Sequence, residues 1–352
     1  MKGYQLGRKQ RVVGDIMKAV IFGGSGFIGS HFSQYLLDND IVQQVVVADI
    51  APLDKHRITE LYESYVSKGR IIFESVDVRQ SIDLTVVGKV DLIANFAAVH
   101  REPGHDPFEY YETNLLGAEN VCAWANDVSC ENVIFTSSIA PYGPSEEARD
   151  EASLPVPATA YGGSKLAAEK IHQTWQSADK LNRKLVIVRP GVVFGAGEGG
   201  NVTRLIKATV RRYFFYMGNK NTRKAGTYVK ELCNAMWWSM DSKAGQDPVL
   251  FNMSMNPGPT IEEYVNAVCE VAEIKRFVPN VPFSLMYLAS LIIDPLAKAV
   301  KVDQPISPVR MRKLVKSNNI IPQYLSDNNY QYLYSFNEAL ADWKLDRGSD
   351  WK

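Results

Sequence analysis

One short segment, YGGSK at residues 161–165, combines side chains that can move a proton. Tyr161 and Lys165 stand one turn apart in a predicted helix, so both side chains can project from the same face. A phenol has an ordinary pKa of about 10 and is a poor base at neutral pH. Neighbouring positive charge favours the phenolate and lowers that pKa, so Tyr161 could then take the proton of an alcohol. The spacing therefore predicts alcohol oxidation, or its reverse, at this segment.

Ser138 is the third group of this predicted site. A tyrosine followed four residues later by a lysine is common and is weak evidence alone. Here it follows the segment Phe135–Ser138, which closes a predicted strand, with Tyr142-Gly143 between them. Ser138 can hydrogen-bond the alcohol or ketone oxygen, and the combination is more specific than any of its parts.

Short apolar runs alternate with segments of helix length, which indicates a parallel sheet covered by helices on both faces. The runs are Lys18–Phe22, Val45–Ala48, Ile71–Val76, Asp91–Ala97, Asn132–Thr136 and Leu185–Val188. We therefore expect an α/β fold, a Rossmann-type doubly wound parallel sheet that binds its ligands at the carboxyl ends of the strands.

Beyond Arg189-Pro190 the pattern changes to a glycine-rich loop, a helix at about 201–212, and proline-broken helices after residue 256. The runs Thr227–Val229 and Val249–Asn252 are expected to return to the sheet. This predicts a Rossmann domain, residues 17–190 plus about 225–255, and a smaller, mostly helical substrate lobe, about 191–224 plus 256–352. Residues 1–16 precede a second methionine, Met17, and are interpreted as an N-terminal extension.

Three glycines, spaced Gly23-x-x-Gly26-x-x-Gly29, lie between the first predicted strand and its helix. In that position they permit a tight turn and let backbone N–H groups approach a pyrophosphate at the helix N-terminus. The pattern predicts a dinucleotide cofactor, whose nicotinamide ring would add positive charge near Tyr161 and accept a hydride from the alcohol carbon.

Asp49 ends the second predicted strand, where a carboxylate can accept hydrogen bonds from both ribose hydroxyls and repels a 2′-phosphate. Because Ile50, Ala51 and Pro52 follow it and no arginine does, the sequence favours NAD over NADP. Asp77-Val78, after the third strand, is a candidate contact for the adenine.

Charge and cysteine usage argue against several classes of function. Lys plus Arg and Asp plus Glu are equal at 39 each, so no overall field favours a polyanion such as nucleic acid. The 4 cysteines are scattered without a CxxC, which indicates reduced cysteines in a cytoplasmic protein. The histidines and acids of residues 100–109 are interrupted by prolines and match no zinc spacing, so we expect no metal.

Two further segments each have two interpretations. Arg211–Tyr216 (RRYFFY) resembles a nucleic-acid patch, although a helix end that runs into a buried strand is favoured. Phe283–Ile293 carries no charge but is shorter than the roughly twenty apolar residues that span a bilayer. A buried helix is the expectation for it, and a surface at a membrane interface is the alternative.

From Met17 nearly to its C-terminus the chain resembles the extended short-chain dehydrogenase/reductases, also called the NAD-dependent epimerase/dehydratase family. The likeness lies in GGSGFIGSH (Gly23–His31), Asp49, Asp77-Val78, NFAA (Asn95–Ala98), Asn114, TSSIAPYG (Thr136–Gly143), YGGSK and RPGVVFGAG (Arg189–Gly197). It implies that Ser138, Tyr161 and Lys165 are catalytic. It also implies NAD contacts from Gly23, Gly26, Phe27, Ile28, Gly29, Asp49, Asp77, Val78, Ala97, Ala98, Asn114, Tyr161, Lys165 and Pro190.

A narrower likeness is to bacterial epimerases that invert C4 of N-acetylglucosamine carried on undecaprenyl diphosphate. It lies in AAVHRE (Ala97–Glu102), YYETNLLGAENV (Tyr110–Val121), GNVTRLIK (Gly200–Lys207), the Lys224–Val229 strand entry and SPVRMRKL (Ser307–Leu314). It implies substrate contacts from His100, Arg101, Asn201, Val202, Lys224 and Arg310, the last two as partners of the diphosphate. The chain departs from the pattern at Glu102, one methylene longer than an HRD-like motif, and at Lys230, where an acid is common.

The resemblance implies 4-epimerisation of an N-acetylhexosamine linked to UDP or undecaprenyl diphosphate, for surface polysaccharide such as O-antigen. It also implies a cytoplasmic homodimer that can contact the inner face of the membrane. A nucleotide-sugar 4-ketoreductase, or another NAD(P)-dependent sugar-nucleotide dehydrogenase, is the enzyme alternative and would consume cofactor stoichiometrically. A dehydratase would need an acid/base pair where Ile139-Ala140 stands. A redox-silent NAD-binding module is the alternative of a different class, and the intact Tyr161, Lys165 and Ser138 argue against it.

Overall fold

A computed structural model describes residues 17–55, 57–85, 88–102, 104–288, 291 and 317–352. The strands are β1 (Lys18–Phe22), β2 (Gln44–Asp49), β3 (Ile71–Ser75), β4 (Leu92–Asn95), β5 (Asn132–Thr136), β6 (Ser145–Arg149), β7 (Lys184–Pro190), β8 (Val192–Phe194), β9 (Tyr216–Met217), β10 (Gly226–Tyr228), β11 (Val249–Met253), β12 (Asn280–Val281) and β13 (Asn318–Ile320).

The helices begin and end close to the bounds of the segments in which apolar residues recur with helical spacing. They are α1 (Phe27–Asp38), α2 (Glu60–Ser67), α3 (Pro107–Asp127), α4 (Ala160–Ser177), α5 (Asn201–Val210), α6 (Val229–Ser242) and α7 (Ile261–Val271), with Gln323–Asp327 and Phe336–Asp346 near the C-terminus. Local chemistry explains two of the starts. Asp106 and Glu109 form a capping box around Pro107 at the start of α3, and Thr159 accepts from the Gly162 N–H at the start of α4.

The predicted doubly wound sheet is confirmed. Within the described ranges its strands are all parallel, in the order β3-β2-β1-β4-β5-β7-β11. β1 is buried along its whole length because helices cover both of its faces, whereas the edge strand β3 exposes alternate residues. The strand order reverses between β1 and β4, which opens a crevice for a ligand at the carboxyl ends of those strands.

One of the two late β runs departs from expectation. Val249–Met253 joins the sheet beside β7, as expected. The prediction that Thr227–Val229 returns to the same sheet is wrong: Gly226–Tyr228 pairs with β8 in a separate two-stranded sheet, and Val229 already begins α6. A run of three residues is too short for periodicity to show which sheet it joins.

The C-terminal region packs into the same hydrophobic core as one face of the sheet. Leu325, Leu340 and Trp343 are buried in the cluster that also holds residues of α1 and α6. Polar anchors reinforce the contact, since Glu231 of α6 accepts from the Tyr330 hydroxyl (2.5 Å) and from the backbone N–H of Tyr334 (3.0 Å). The division into a Rossmann domain and a substrate lobe stays a prediction.

The described part of the uncharged segment Phe283–Ile293, residues 283–288 and 291, differs from the buried helix that we expected. Residues 283–288 are helical, but Leu285, Leu288 and Leu291 are exposed rather than buried. An apolar stretch marks a helix from its composition, but only its neighbours in the fold decide whether that helix is covered. No helix in the described ranges is long and apolar enough to cross a membrane.

Candidate active site at the carboxyl edge of the sheet

The glycine loop after β1 is shaped by close backbone contacts, both with the segment after β4 and within the loop itself. Gly23 has a φ of +74°, and a Cβ there would lie 2.6 Å from the Ala97 nitrogen. A Cβ on Gly29 would lie 2.5 Å from the Gly23 oxygen, so α1 packs directly on the loop. Gly26 caps α1 with no side-chain hydrogen bond, which leaves the helix N-terminus suited to an anion. Phe27 and Ile28 form its half-buried first turn.

Asp49 lies beside this loop at the end of β2. Its carboxylate accepts from the backbone N–H of Ser25 and of Ala51, each at 3.0 Å. The buried Ser25 hydroxyl has no hydrogen-bond partner among the described residues. Close-packed glycines, an uncapped helix start, a positioned carboxylate and an orphaned hydroxyl fit the pyrophosphate and ribose of a dinucleotide.

The other predicted cofactor residues line the same edge, in part as supports. Asp77 is bound by the Arg79 guanidinium (2.7 Å), which lowers the pKa of the Asp77 carboxyl. Asn114 of α3 donates to the Ser164 hydroxyl (2.9 Å) and accepts from the Val99 N–H (3.0 Å). Asn114 therefore ties the Ala97-Ala98 loop to α4, and these residues, with buried Val78 and Pro190, remain predicted contacts.

Ser138 and Tyr161 come together above β5. The Ser138 hydroxyl accepts from the Ala140 N–H (3.1 Å) and lies near enough to the Tyr161 phenol to act on its pKa. The close approach of α4 needs Gly162, because a Cβ there would lie 2.6 Å from the Ala140 oxygen. Burial raises the pKa of Tyr161 to about 12, and the neighbouring Ser138 hydroxyl opposes that rise. In the protein alone, burial outweighs the lowering that the sequence predicted.

Lys165 lies on the inner side of α4. Its Nζ donates to the Thr136 carbonyl oxygen (2.8 Å) and lies 4.8 Å from the centre of the Phe135 ring. Burial lowers the pKa of Lys165 to about 7, and the negative charge of Glu169 opposes this. The ammonium is thus held at the end of β5, next to Ser137-Ser138, by contacts that fix its direction.

A buried ion pair that was not predicted from the sequence supports this arrangement. Glu169 receives two hydrogen bonds from Arg189 (2.6 and 2.8 Å) and one from the Ser137 hydroxyl (2.5 Å). Arg189 also lies 4.7 Å from the centre of the Tyr142 ring. The unit links α4, the end of β5 and β7. Its signal in the sequence is Glu169 one turn after Lys165, with Arg189 directly before Pro190.

The predicted substrate residues are less closely gathered. His100 and Arg101 lie on an exposed loop over Tyr161, where the Tyr110 hydroxyl bonds the Arg101 carbonyl oxygen and the Tyr110 ring lies 6.0 Å from the Tyr161 ring. Although the His100 residue is largely exposed, desolvation of its ring lowers its pKa, and the positive charges of Lys165 and Arg101 lower it further. The charge of neighbouring Glu102 adds to the rise of the Tyr161 pKa.

Lys224 lies at the start of the segment that leads into β10. It precedes Ala225, which packs with Ile139 and Tyr142 just beyond Ser138. Burial lowers the pKa of Lys224 to about 8, and Glu146 opposes that shift.

Asn201 and Val202 open α5, with Asn201 exposed and Val202 in the core. Within the described ranges no hydrogen bond joins either residue to Tyr161, Lys165 or Ser138. Arg310 lies outside the described residues.

The acid- and histidine-rich loop before α3 uses its side chains locally. His105 pairs with Glu109 (2.6 Å), and Asp106 caps α3. Among the described residues no group of three histidines, cysteines or acids could hold a metal ion.

Comparison with known proteins identifies the family. Residues 19–254 match the model of the NAD dependent epimerase/dehydratase family. Over 323 residues the chain is 27% identical to the N-acetyl-alpha-D-glucosaminyl-diphospho-ditrans,octacis-undecaprenol 4-epimerase of Escherichia coli O157:H7, with 91% of this chain and 92% of that one covered. A UDP-glucose 4-epimerase of Halalkalibacterium halodurans is 30% identical over 192 residues, 53% of this chain and 54% of that one.

Solved structures share the fold. The UDP-N-acetylglucosamine 4-epimerase from Methanobrevibacter ruminantium M1, in complex with UDP-N-acetylmuramic acid, superposes with a TM-score of 0.72 at 19% identity, covering 95% of this chain and 98% of that one. The UDP-glucuronic acid 4-epimerase from Bacillus cereus, in complex with NAD, also gives 0.72, at 18% identity and 96% and 100% coverage. At these identities the likeness is one of fold.

Proposed function

Because the chain belongs to the NAD dependent epimerase/dehydratase family, we propose that it is a 4-epimerase of an N-acetylhexosamine linked to a diphosphate, carried by UDP or by undecaprenyl diphosphate. The observation that carries the proposal is the assembly of Tyr161, Ser138 and Lys165 beside the glycine loop. The likeness to the E. coli enzyme over nine-tenths of both chains supports the sugar and its diphosphate. Surface polysaccharide such as O-antigen is the product class that this likeness implies.

NAD is the cofactor of this family, and the glycine loop, Asp49 and Ser25 would hold it. When bound, NAD accepts a hydride from the sugar carbon and later returns it. Asp49 would accept from the ribose hydroxyls, and its charge selects against a 2′-phosphate. Lys165 uses one of its three donors on the Thr136 carbonyl, which holds the ammonium at the end of β5 and leaves two donors for other partners.

Tyr161 would take the proton of the C4 hydroxyl, and Ser138 would hold the C4 oxygen by a hydrogen bond. The raised pKa of Tyr161 means that positive charge from Lys165 and from the cofactor must stabilise the phenolate before it acts as a base. After oxidation the 4-keto sugar would rotate in its pocket and present the opposite face of C4. The same phenol would then return the proton to the C4 oxygen as C4 is reduced. No net redox change results, so the cofactor need not leave.

The diphosphate would meet the cationic side of the crevice. Lys224 lies next to the wall formed by Ala225 and Ile139, and its ammonium can bind phosphate oxygens by charge-assisted hydrogen bonds. Arg101 on the facing loop is the second cation, with His100 beside it. Asn201, Val202 and Arg310 are retained as predicted contacts.

The proposal includes a homodimer that works on the cytoplasmic side, at the inner face of the membrane when the carrier is a lipid. The helices α3 and α4 pack together and leave Phe108, Tyr111 and Leu116 of α3 exposed. A second copy would cover such apolar side chains. Size-exclusion chromatography with light scattering tests this; a monomer would contradict it.

The enzyme alternative is a nucleotide-sugar 4-ketoreductase or a related NAD(P)-dependent dehydrogenase, because the same three residues serve both reactions. A binding module that holds NAD without chemistry is the alternative outside the enzymes. Stoichiometric consumption of the cofactor would distinguish a ketoreductase or dehydrogenase from an epimerase. Turnover of any sugar would exclude a binding module without chemistry.

The test is incubation with UDP-N-acetylglucosamine and, separately, with N-acetylglucosaminyl-diphospho-undecaprenol, followed by NMR. We expect the C4 epimer without stoichiometric change of NAD. Tyr161→Phe should lower the rate at least about 100-fold, the lower range of general acid–base catalysis. Tyr213→Phe, at an exposed tyrosine, keeps the aromatic ring and is the matched control with the UDP-linked substrate, whose rate it should leave unchanged. Undiminished activity in Tyr161→Phe, or stoichiometric NADH oxidation, would overturn the proposal.

A further inference from the structure

Two segments that each hold two basic residues and one aromatic residue lie side by side. They are Arg211-Arg212-Tyr213, after α5, and Lys275-Arg276-Phe277, after α7, together called here the paired triplets. The parallel pair β9–β12 sets Tyr216 opposite Asn280. Tyr213 and Phe277 each stand three residues before these partners, so the two triplets lead into the two strands of the pair.

Hydrogen bonds hold the triplets together and turn their other side chains outward. The Arg276 guanidinium donates to the carbonyl oxygens of Thr209 (2.9 Å) and Phe214, on either side of the first triplet. Arg212 adopts a left-handed φ of 67°, which ends α5 and redirects the chain before Tyr213. A non-glycine residue holds this conformation where the surrounding structure imposes it.

The resulting surface is both apolar and basic. Tyr213 is 61% and Phe277 86% exposed, and Arg211, Arg212 and Lys275 are exposed around them. The exposed acid Glu273 lies two residues before Lys275, and Glu262, which lies in the groove beside Phe277, is paired with Lys220. The triplets therefore keep an excess of positive charge. The chain as a whole is neutral, so this concentration of cations is a local feature.

We propose that the paired triplets are a contact surface for an anionic lipid bilayer. Basic side chains are attracted to anionic lipid headgroups, and exposed aromatic rings partition into the headgroup region between them. The paired triplets combine basic side chains with exposed aromatic rings, whereas apolar residues exposed singly elsewhere on the surface lack this combination. Single-stranded nucleic acid fits less well, because it is bound in a groove of successive stacking aromatics and these triplets present two rings at one edge.

The surface lies on the chain segment that leads to the substrate side of the active site. From Tyr213 the chain passes through β9 to Lys224, the proposed partner of the diphosphate. Beyond β12 it enters the helix at residues 283–288, where Leu285 and Leu288 are also exposed. A use of this surface in presenting a lipid-linked sugar rests on the proposed function; the binding to lipid does not.

The test is co-sedimentation of the purified full chain with vesicles of phosphatidylglycerol and phosphatidylcholine, and with vesicles of phosphatidylcholine alone. Binding is expected to the anionic vesicles and to weaken with salt. Arg211→Gln with Arg212→Gln and Lys275→Gln should weaken it at least roughly tenfold, given the attraction per basic residue. Tyr213→Ser with Phe277→Ser should also weaken it.

Matched controls carry the same changes elsewhere. Lys68→Gln with Lys180→Gln and Lys184→Gln removes three exposed cations, and Leu181→Ser with Leu345→Ser removes two exposed apolar side chains. The surface is rejected if the parent chain does not bind anionic vesicles, if the controls lose as much binding as the triplet variants, or if the chain binds a single-stranded oligonucleotide but no vesicle. Thermal melting confirms that each variant is folded.

A second readout separates this inference from the proposed function. Turnover of UDP-N-acetylglucosamine, which needs no bilayer, should be equal in the parent chain and the triplet variants. Vesicle binding that depends on the triplets in a chain without epimerase activity would uphold the surface and overturn the function. Full epimerase activity in a chain that does not bind vesicles would uphold the proposed function and overturn the lipid-contact surface.

Discussion

The two sides of the proposed active site differ in how firmly packing holds them. Under the reacting groups, Lys165, Glu169 and Arg189 are buried and hydrogen-bonded to fixed partners. On the facing side, His100 and Arg101 lie on an exposed loop. A buried network has one arrangement because an unpaired charge there is costly, whereas exposed residues can change with little effect on the fold. In the proposed site the reacting groups would therefore be held by the packed side, and residues of the exposed loop would be free to differ without cost to the fold.

Breaking the buried ion pair should have the largest effect on stability. Glu169→Gln leaves Arg189 charged and buried without its partner, which costs about 3–5 kcal/mol in free energy of unfolding. Urea denaturation measures it. Glu169→Leu combined with Arg189→Met removes both charges and should recover much of the loss. A loss below about 1 kcal/mol for the single change would show that packing does not distinguish the two sides.

The buried Lys165 should contribute to the pH dependence of the free energy of unfolding. Its pKa is about 7 in the folded chain against an ordinary 10.5, so the unfolded chain binds more protons between these values. Stability should therefore rise with pH from about 7 upward, by up to about 1.4 kcal/mol per pH unit from this group. Unfolding at pH values on both sides of 8, for the parent and Lys165→Met, measures the difference. An unaltered slope in the variant would contradict the burial of the ammonium.

On the substrate side, Lys224→Met should impair binding more than chemistry. We expect KM for the diphosphate-linked sugar to rise roughly tenfold, about 1.4 kcal/mol, with kcat little changed. The pKa of Lys224 is about 8, so the parent's KM should climb above pH 8 as the ammonium is lost, and the variant's should not. Lys220→Met, whose ammonium pairs with Glu262, is the control. A fall in kcat with unchanged KM would place Lys224 with the reacting groups.

The smallest effect is expected where the same chemical change is made in an exposed pair. Glu262→Gln breaks the Lys220–Glu262 contact (2.5 Å), in which both side chains are partly open to water. The free energy of unfolding should fall by about 1 kcal/mol or less. Urea denaturation of Glu262→Gln and Glu169→Gln, measured side by side, compares the loss in free energy of unfolding for the same carboxylate-to-amide change in an exposed and a buried ion pair. Equal losses would remove the contrast between a buried and an exposed ion pair.

Much of the fold follows from local patterns that a sequence displays directly. The apolar runs at Lys18–Phe22 and Asn132–Thr136 became strands with those bounds, because continuous burial on both faces of a parallel sheet demands apolar residues throughout. Sequence patterns that were short or weak did not predict the structure correctly. The three residues of β10 gave no sign of their separate sheet, and the uncharged segment after Pro282 gave none of its exposure.

The sequence by itself determined the family, the sheet, the glycine loop, and the order of Ser138, Tyr161 and Lys165, because each depends on residue types at short spacing. Tertiary structure alone decided how those groups are supported. The Glu169–Arg189 pair joins residues 20 positions apart, and the paired triplets meet only because β9 lies beside β12. It also decided the protonation of the site, since burial of Tyr161 and Lys165 moves their pKa values in opposite directions. Burial depends on every element that packs around a residue, and no local pattern encodes it.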